Sequence, residues 1–243
     1  MALLTLDGVT KSHWRGVTER PVLRGASLTV HAGDLVAVYG QRGAGKTTLL
    51  TLAAGFDDPD GGHVAFEGRD LAALSRRNLA RLHRDRIAWV EATGSLSCEL
   101  GPLDYVALPL YRRLGPGESR RRAFAALRRV GAEDCAHRSW DDLSDATRAL
   151  VAVAQALARE PRLLIADDPT AGLGIVDRER VVGLLRAAAE DGGVGVLMAV
   201  PDMSAMVLAH EVRALSRGRL HAPRGDRGGP GTVVELHRDK RTG

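Results

Sequence analysis

At 243 residues the chain is long enough for one large or two ordinary domains with a sizeable core. Charge nearly balances, 34 basic against 30 acidic residues, and three each of Trp, Tyr and Phe are too few for the stacked-base platforms of single-stranded nucleic-acid binders, which argues against direct nucleic-acid binding. No apolar run, Val194 to Val200 included, approaches the roughly 18–20 residues that span a bilayer, and Cys98 and Cys135 supply neither a disulfide framework nor a zinc set. Asp7 arrives before any apolar stretch of signal-peptide length. These features predict a soluble, cytoplasmic, mixed α/β protein without a transmembrane segment of its own, so that any membrane role comes through a partner.

In chain order, Leu3 to Leu6 and Ser27 to Val30 alternate loosely as strands, and Asp34 to Tyr39 is a short apolar run with the signature of a buried strand. A helical pattern covers Gly45 to Ala54. Asp57 to Gly62 is turn chemistry that leads into a strand over His63 to Glu67. Residues 71–84 read as a basic helix and Ile87 to Val90 as a strand. Residues 93–140 are loop-rich, then helical, with arginine pairs and triplets at 112–113, 120–122 and 128–129. These arginines read as a solvated helix face, or as a surface for acidic loops or lipid headgroups. Phe124, Leu127 and Val130, three residues apart, are expected to pack in the core. Leu143 to Ala158 is an amphipathic helix, Leu163 to Ala166 a buried strand ending at Asp167, residues 176–190 a helix, and Val194 to Val200 a strand. Alternation of this kind builds a parallel sheet covered by helices. From His221 the chain is rich in Gly, Pro and Arg and reads as a mobile basic tail, residues 221–243.

Gly40-Gln41-Arg42-Gly43-Ala44-Gly45-Lys46-Thr47 fits the phosphate-loop pattern G-x-x-x-x-G-K-[ST], between a predicted strand and a predicted helix. Glycines let successive backbone N–H groups turn inward around an anion, and the helix N-terminus adds partial positive charge. Lys46 then reaches the terminal phosphates and the Thr47 hydroxyl completes a Mg²⁺ shell, with Thr48 in the same helical turn. Downstream, Leu163-Leu164-Ile165-Ala166-Asp167-Asp168 puts two carboxylates at a strand end. Asp167 would hold Mg²⁺ through water and Asp168 would face the attacking water. Together these motifs predict binding of a nucleoside triphosphate, with Asp168 and Lys46 as the catalytic pair.

Over about residues 1–220 the order of these pieces resembles the ATP-binding subunit of an ABC transporter. The carrying residues are the phosphate loop, the arginine-rich insert, Leu143-Ser144 opening a helix, and Ala166-Asp167-Asp168-Pro169-Thr170. Val22-Leu23-Arg24-Gly25, Ala107-Leu108-Pro109-Leu110 and Gln155 to Pro161 look most like the lipoprotein-release and macrolide-export branch. The resemblance implies a P-loop NTPase fold: a RecA-like parallel-sheet core (1–90 and 161–220) with an N-terminal antiparallel β subdomain, and a helical insert (91–160). It implies ATP and Mg²⁺ as ligands, a second ATP-binding subunit closing head to tail around two ATPs, and integral-membrane permease subunits driven from the inner face of the membrane. His13, or the adjacent Trp14, would take the place of the aromatic that stacks on adenine; His13 as an ordinary surface residue is the alternative.

Several positions depart from the family pattern. The helix-opening LSGGQ reads Leu143-Ser144-Asp145-Ala146-Thr147. Ser144 can still cap the helix and bind the phosphate held by the opposite cassette, but Asp145 facing a phosphate is repulsive, about 3 kcal/mol per unit charge pair at ~5 Å and an effective dielectric of ~20. The catalytic Glu is Asp168, one methylene shorter. The switch histidine is replaced in Val200-Pro201-Asp202, and proline has no side-chain donor. The Mg²⁺-sensing glutamine falls at Glu91 or Ala92; Glu91 could ligate the ion, whereas an ungapped reading puts Ala92 there. Gly174 stands where the family has a dimer-contact Asp. These changes predict slow hydrolysis, with compensation by neighbouring residues as the alternative. They also leave open a second function, a non-transport regulator that uses ATP-dependent dimerisation.

Overall fold

The computed structural model describes residues 2–91, 100–201 and 208–222. Ala92, Cys98 and Asp202 lie outside these residues, as does the expected tail beyond Ala222. Two sheets organise the chain. In the first, β1 (Ala2–Arg15) and β2 (Thr18–His31) form a long antiparallel hairpin, extended on the far side of β1 by β4 (Gly61–Phe66) and β5 (Arg69–Asp70), in the order β2-β1-β4-β5. In the second, β3 (Leu35–Tyr39), β6 (Ile87–Glu91), β7 (Leu163–Asp167), β8 (Gly195–Val200), β9 (Glu211–Ser216) and β10 (Arg219–His221) lie in the order β10-β9-β3-β8-β7-β6. All of its neighbours are parallel except the β9–β10 hairpin.

The apolar runs of β3, β7 and β8 are buried on both faces, which explains why they lack alternation. Leu35, Ala37, Leu164, Ala166, Val196 and Met198 face one core, packed against the helices α6 (Asp145–Ala158) and α7 (Ile175–Gly192). Val36, Val38, Leu163, Ile165, Leu197 and Ala199 face a second core, formed with α1 (Lys46–Ala54) and the antiparallel sheet. The chain is thus a parallel-sheet core with an N-terminal antiparallel layer and a helical segment, the fold class the sequence predicts. Among the described residues no helix is long and apolar enough to cross a membrane.

The helical segment carries α2 (Arg76–Asp85) ahead of it, then α3 (Pro102–Ala107), α4 (Tyr111–Leu114) and α5 (Pro116–Arg129), before α6. Its arginines are partly spent on local ion pairs: Arg120 with Asp104, Arg121 and Arg122 with Glu118, and Arg122 also with Glu160. Phe124 is a correction. Leu127 and Val130 are buried as expected, but Phe124 is 42% exposed. The face of α5 that packs inward is made by the small Ser119, Ala123 and Ala126, which let α3 and α6 come close, and by Leu127, which fills the core between them.

Other boundaries move as well. The basic helix begins at Arg76, capped by the Ser75 hydroxyl accepting from Asn78 N–H at 3.3 Å, and Leu71 is a buried anchor before it. The strand expected over His63 to Glu67 starts at Gly61, and Glu67 turns the chain with φ 49°. His221, read as the first residue of the tail, closes β10 opposite Ala214.

His210 fastens the start of β3 to α7. Its Nδ1 accepts from Leu35 N–H at 2.8 Å, and its Nε2 lies 3.0 Å from the Glu190 carboxylate, which also accepts from Arg186. These bonds, His210 first, hold Glu190 below the ordinary glutamate range. A carboxylate depressed in this way contributes stability above its unfolded value, and the contribution is lost as pH falls through the folded value. His210→Ala leaves the Leu35 N–H without its acceptor, at a cost of about 1–3 kcal/mol. We expect a melting temperature lower by roughly 2–10 °C at neutral pH; an unchanged midpoint in a calorimetric scan would show the fastening to be idle.

Candidate nucleotide site

The phosphate loop connects the carboxyl end of β3 to α1. Gly40 is held so close to β9 that an added Cβ would lie 2.5 Å from the Leu215 carbonyl oxygen. Gly45 has φ 103°, a backbone conformation that L side chains avoid, and an added Cβ would meet Val22 Cγ1 at 2.7 Å. The two glycines therefore let the loop curl against β9 and β2. Among the described residues no side chain caps α1, and no acidic residue stands in its first turn, so its leading N–H groups and the positive end of its dipole are available to an anion. Lys46 Nζ donates across the loop to the carbonyl oxygens of Gly40 at 2.5 Å and Gln41 at 3.2 Å. Ala44 N–H donates to Gln41 O at 3.0 Å, closing the loop on itself.

The parallel register sets the second half of the site at the same level. Tyr39, just before the loop, is aligned with Val200 of β8; Ala199 is aligned with Asp167 of β7; and Asp167 is aligned with Glu91 of β6. Pro201 follows Val200 directly, so the phosphate loop, Pro201, Asp167 and Glu91 line one carboxyl edge of the sheet, where open α/β sheets bind ligands. Asp168 has φ 48°, donates its N–H to Ala199 O at 2.9 Å and accepts from Ala171 N–H at 3.1 Å. The turn out of β7 is thereby fixed to β8.

Mg²⁺ takes one or two protein oxygens and completes its octahedron with phosphate oxygens and water. The Thr47 hydroxyl, at the start of α1, and the Asp167 carboxylate, at the end of β7, are hard oxygen donors of that kind. Glu91 adds a third oxygen donor, an exposed carboxylate on the strand beside Asp167.

His13 and Thr48, far apart in sequence, are brought together: His13 Nε2 lies 3.1 Å from Thr48 Oγ1, joining the β1–β2 hairpin to the first turn of α1. Trp14, beside it, is 69% exposed. Ser144 and Asp145 are at the opening of α6, and among the described residues no hydrogen bond or ion pair joins either of them to the phosphate loop. Ser144 Oγ accepts from Thr147 N–H at 3.2 Å, the capping bond the sequence predicts.

One feature of the surroundings has no local sequence signal. Arg20 and Arg24 of β2, Arg217 and Arg219 of the β9–β10 hairpin, Arg42 and Pro201 line one open cleft beside the phosphate loop, and among the described residues no carboxylate lines it. The residues come from four separate stretches of the chain, so only the folded sheet assembles them.

Residues 23–171 match the family described as ABC transporter. The lipoprotein-releasing system ATP-binding protein LolD of Cereibacter sphaeroides is 37% identical over 223 residues, 90% of this chain and 98% of that one. The macrolide export ATP-binding/permease protein MacB of Syntrophobacter fumaroxidans is 33% identical over 221 residues, 90% of this chain but 31% of that protein. Among solved structures, the ATP-binding cassette MJ0796, in a dimeric post-hydrolysis state bound to ADP and Pi, superposes with a TM-score of 0.82 at 29% identity, covering 93% of this chain and 100% of that one. A phosphate loop and two strand-end carboxylates on a matching fold, within a sequence related along most of its length, make one conclusion: this chain belongs to the ABC transporter family, as an ATP-binding cassette.

Proposed function

We propose that this cassette is the cytoplasmic ATP-binding subunit of a transporter whose membrane-spanning part is a separate permease, and that it closes head to tail with a second ATP-binding subunit around Mg-ATP. Gly40 to Thr48 hold the phosphates, with Lys46 on the terminal ones. Thr47, Asp167 and Glu91 hold Mg²⁺, which neutralises charge on the phosphates. Asp168 orients the attacking water, His13 faces the adenine, and Ser144 comes from the opposite subunit. Residues 91–160 form the helical subdomain turned toward the permease. Relatives named for lipoprotein release and macrolide export support the permease partner.

Hydrolysis in this reading is slow. The carrying observation is that the sheet edge which presents Asp167 and Glu91 presents Pro201 immediately after β8, where a side-chain donor would stabilise the transferring phosphoryl group. Loss of one such donor costs about 100- to 1,000-fold in rate. The same substitution favours, as a second reading, a regulator whose ATP-bound dimer controls another protein without transport.

Sedimentation of the full chain with and without Mg-ATP, alongside steady-state turnover with Lys46→Ala as the blank, tests the proposal. The expected result is an ATP-dependent dimer that turns over at about 0.1 per second or less, roughly 100-fold below a typical enzyme. A monomer at saturating ATP removes the self-paired subunit, and turnover of about 10 per second removes the slow step.

A further inference from the structure

Asp145 is the most disruptive of the altered residues on electrostatic grounds, and the structure supplies its counterweight. Arg148, one turn further along α6, has Nη1 3.6 Å from Asp145 Oδ1. Its other nitrogens, Nε and Nη2, reach the Trp140 carbonyl oxygen at 3.4 and 3.2 Å. Trp140 is 3% exposed and sits in the helical core, so this guanidinium is anchored to a buried turn. The Arg148 side chain is 22% exposed, whereas that of Asp145 is 70% exposed. The arginine is thus the fixed member of the pair and the aspartate the movable one. Ser144 Oγ is engaged by Thr147 N–H and by Thr147 Oγ1 at 3.0 Å, which fixes the cap itself.

We propose that Arg148 is a positioning residue that holds the Asp145 carboxylate back along α6 and cancels its charge, so that the N-terminal turn of α6 can approach the phosphates of an ATP held by a second cassette. The inference rests on the head-to-tail dimer proposed above. Its chemistry is that of a cation beside an acid at an anion-facing helix end. Together the two side chains present no net charge. Without Arg148 the acid faces phosphate alone, and without Asp145 the arginine adds attraction. The pair makes ATP-dependent association sensitive to charge at a position where a glycine would be indifferent.

The test is a double-mutant cycle on the full chain, read as the dimer dissociation constant with Mg²⁺ and the slowly hydrolysed analogue ATPγS, with analogue binding to the monomer measured separately. Arg148→Gln should weaken the dimer about tenfold, Asp145→Asn should tighten it by a similar factor, and the double variant should return to within about threefold of the starting chain. The difference between Arg148→Gln and the double variant should shrink as salt rises. A merely structural role for Arg148 through the Trp140 turn gives a different pattern: Arg148→Gln weakens the dimer and Asp145→Asn fails to restore it, which overturns the proposal. So does an Asp145→Asn variant that leaves the dimer unchanged. Intact analogue binding with no dimer in the starting chain overturns the dimer reading itself, and this pairing with it.

Discussion

Lys46→Ala should lower ATP affinity by about 100-fold, because it removes the cation that is held across the loop by the carbonyls of Gly40 and Gln41. A hydrogen bond to a charged group contributes about 1.5–3 kcal/mol, and each 1.4 kcal/mol is a factor of ten in affinity. In the structure the Lys46 ammonium already lies over the loop, donating to the carbonyls of Gly40 and Gln41, so little conformational order has to be created when a phosphate is bound. The fold should barely notice the substitution. α1 is held by Leu49, Leu50 and Leu52, all fully buried, and loss of the two partly exposed lysine bonds lowers the melting temperature by only a few degrees, on the order of 2–4 °C per kcal/mol. Calorimetric titration with Mg-ATP and a melting scan separate the two effects. Affinity retained within about threefold would mean that the backbone nest and helix dipole suffice on their own. Lys46→Arg should not rescue binding, since the planar guanidinium is bulkier than the ammonium the loop encloses.

What the sequence makes legible is what local spacing encodes. The phosphate loop is contiguous, its glycines are dictated by backbone geometry, and the apolar runs at 34–39, 163–166 and 194–200 announce strands buried on two faces. The core cassette follows from these. Elements whose identity depends on pairing are harder to read. Glu211 to Ser216 forms β9, paired between β3 and β10, although it shows no clean alternation, because most of its side chains are only partly buried. The hairpin of β1 and β2 runs much further than Leu3 to Leu6 and Ser27 to Val30. Its outer half, with Lys11, His13 and Trp14, is polar, and repeated register shifts break the two-residue period. Phe124 misleads for the opposite reason: three-residue spacing is helical, but it does not reveal that the inner face of α5 runs through Ser119, Ala123, Ala126 and Leu127 and leaves Phe124 to one side. The contacts of His210 with Leu35 and Glu190, and of Arg148 with Trp140, are tertiary, and nothing near either residue in the sequence points to them.

On the roles proposed above for positions 168 and 201, Asp168→Glu together with Pro201→His should raise turnover by about 100-fold or more. Asp168→Glu returns the missing methylene, and a displacement of about 1 Å in a positioned group costs on the order of 100-fold. Pro201→His returns a donor at the end of β8. Val200 before it is fully buried and fixes the strand, while Pro201 lines the open cleft with Gly40 and Gln41, so an imidazole has room to enter. The gain should fall on kcat and leave KM nearly unchanged, because both groups act on charge and geometry that arise only in the transition state. The aspartate also has a structural logic. At φ 48° the left-handed backbone suits Asp better than Glu, so the Glu variant is expected to lose up to about 1 kcal/mol of stability while it gains rate. The triple variant, with Lys46→Ala added, should fall back to the blank, which ties any gain to this site. If turnover does not rise in the Asp168→Glu, Pro201→His chain, while its ATP affinity and melting temperature stay near those of the starting protein, then other residues already supply the water-orienting and charge-stabilising roles, and the slow step has to be sought in closure of the dimer.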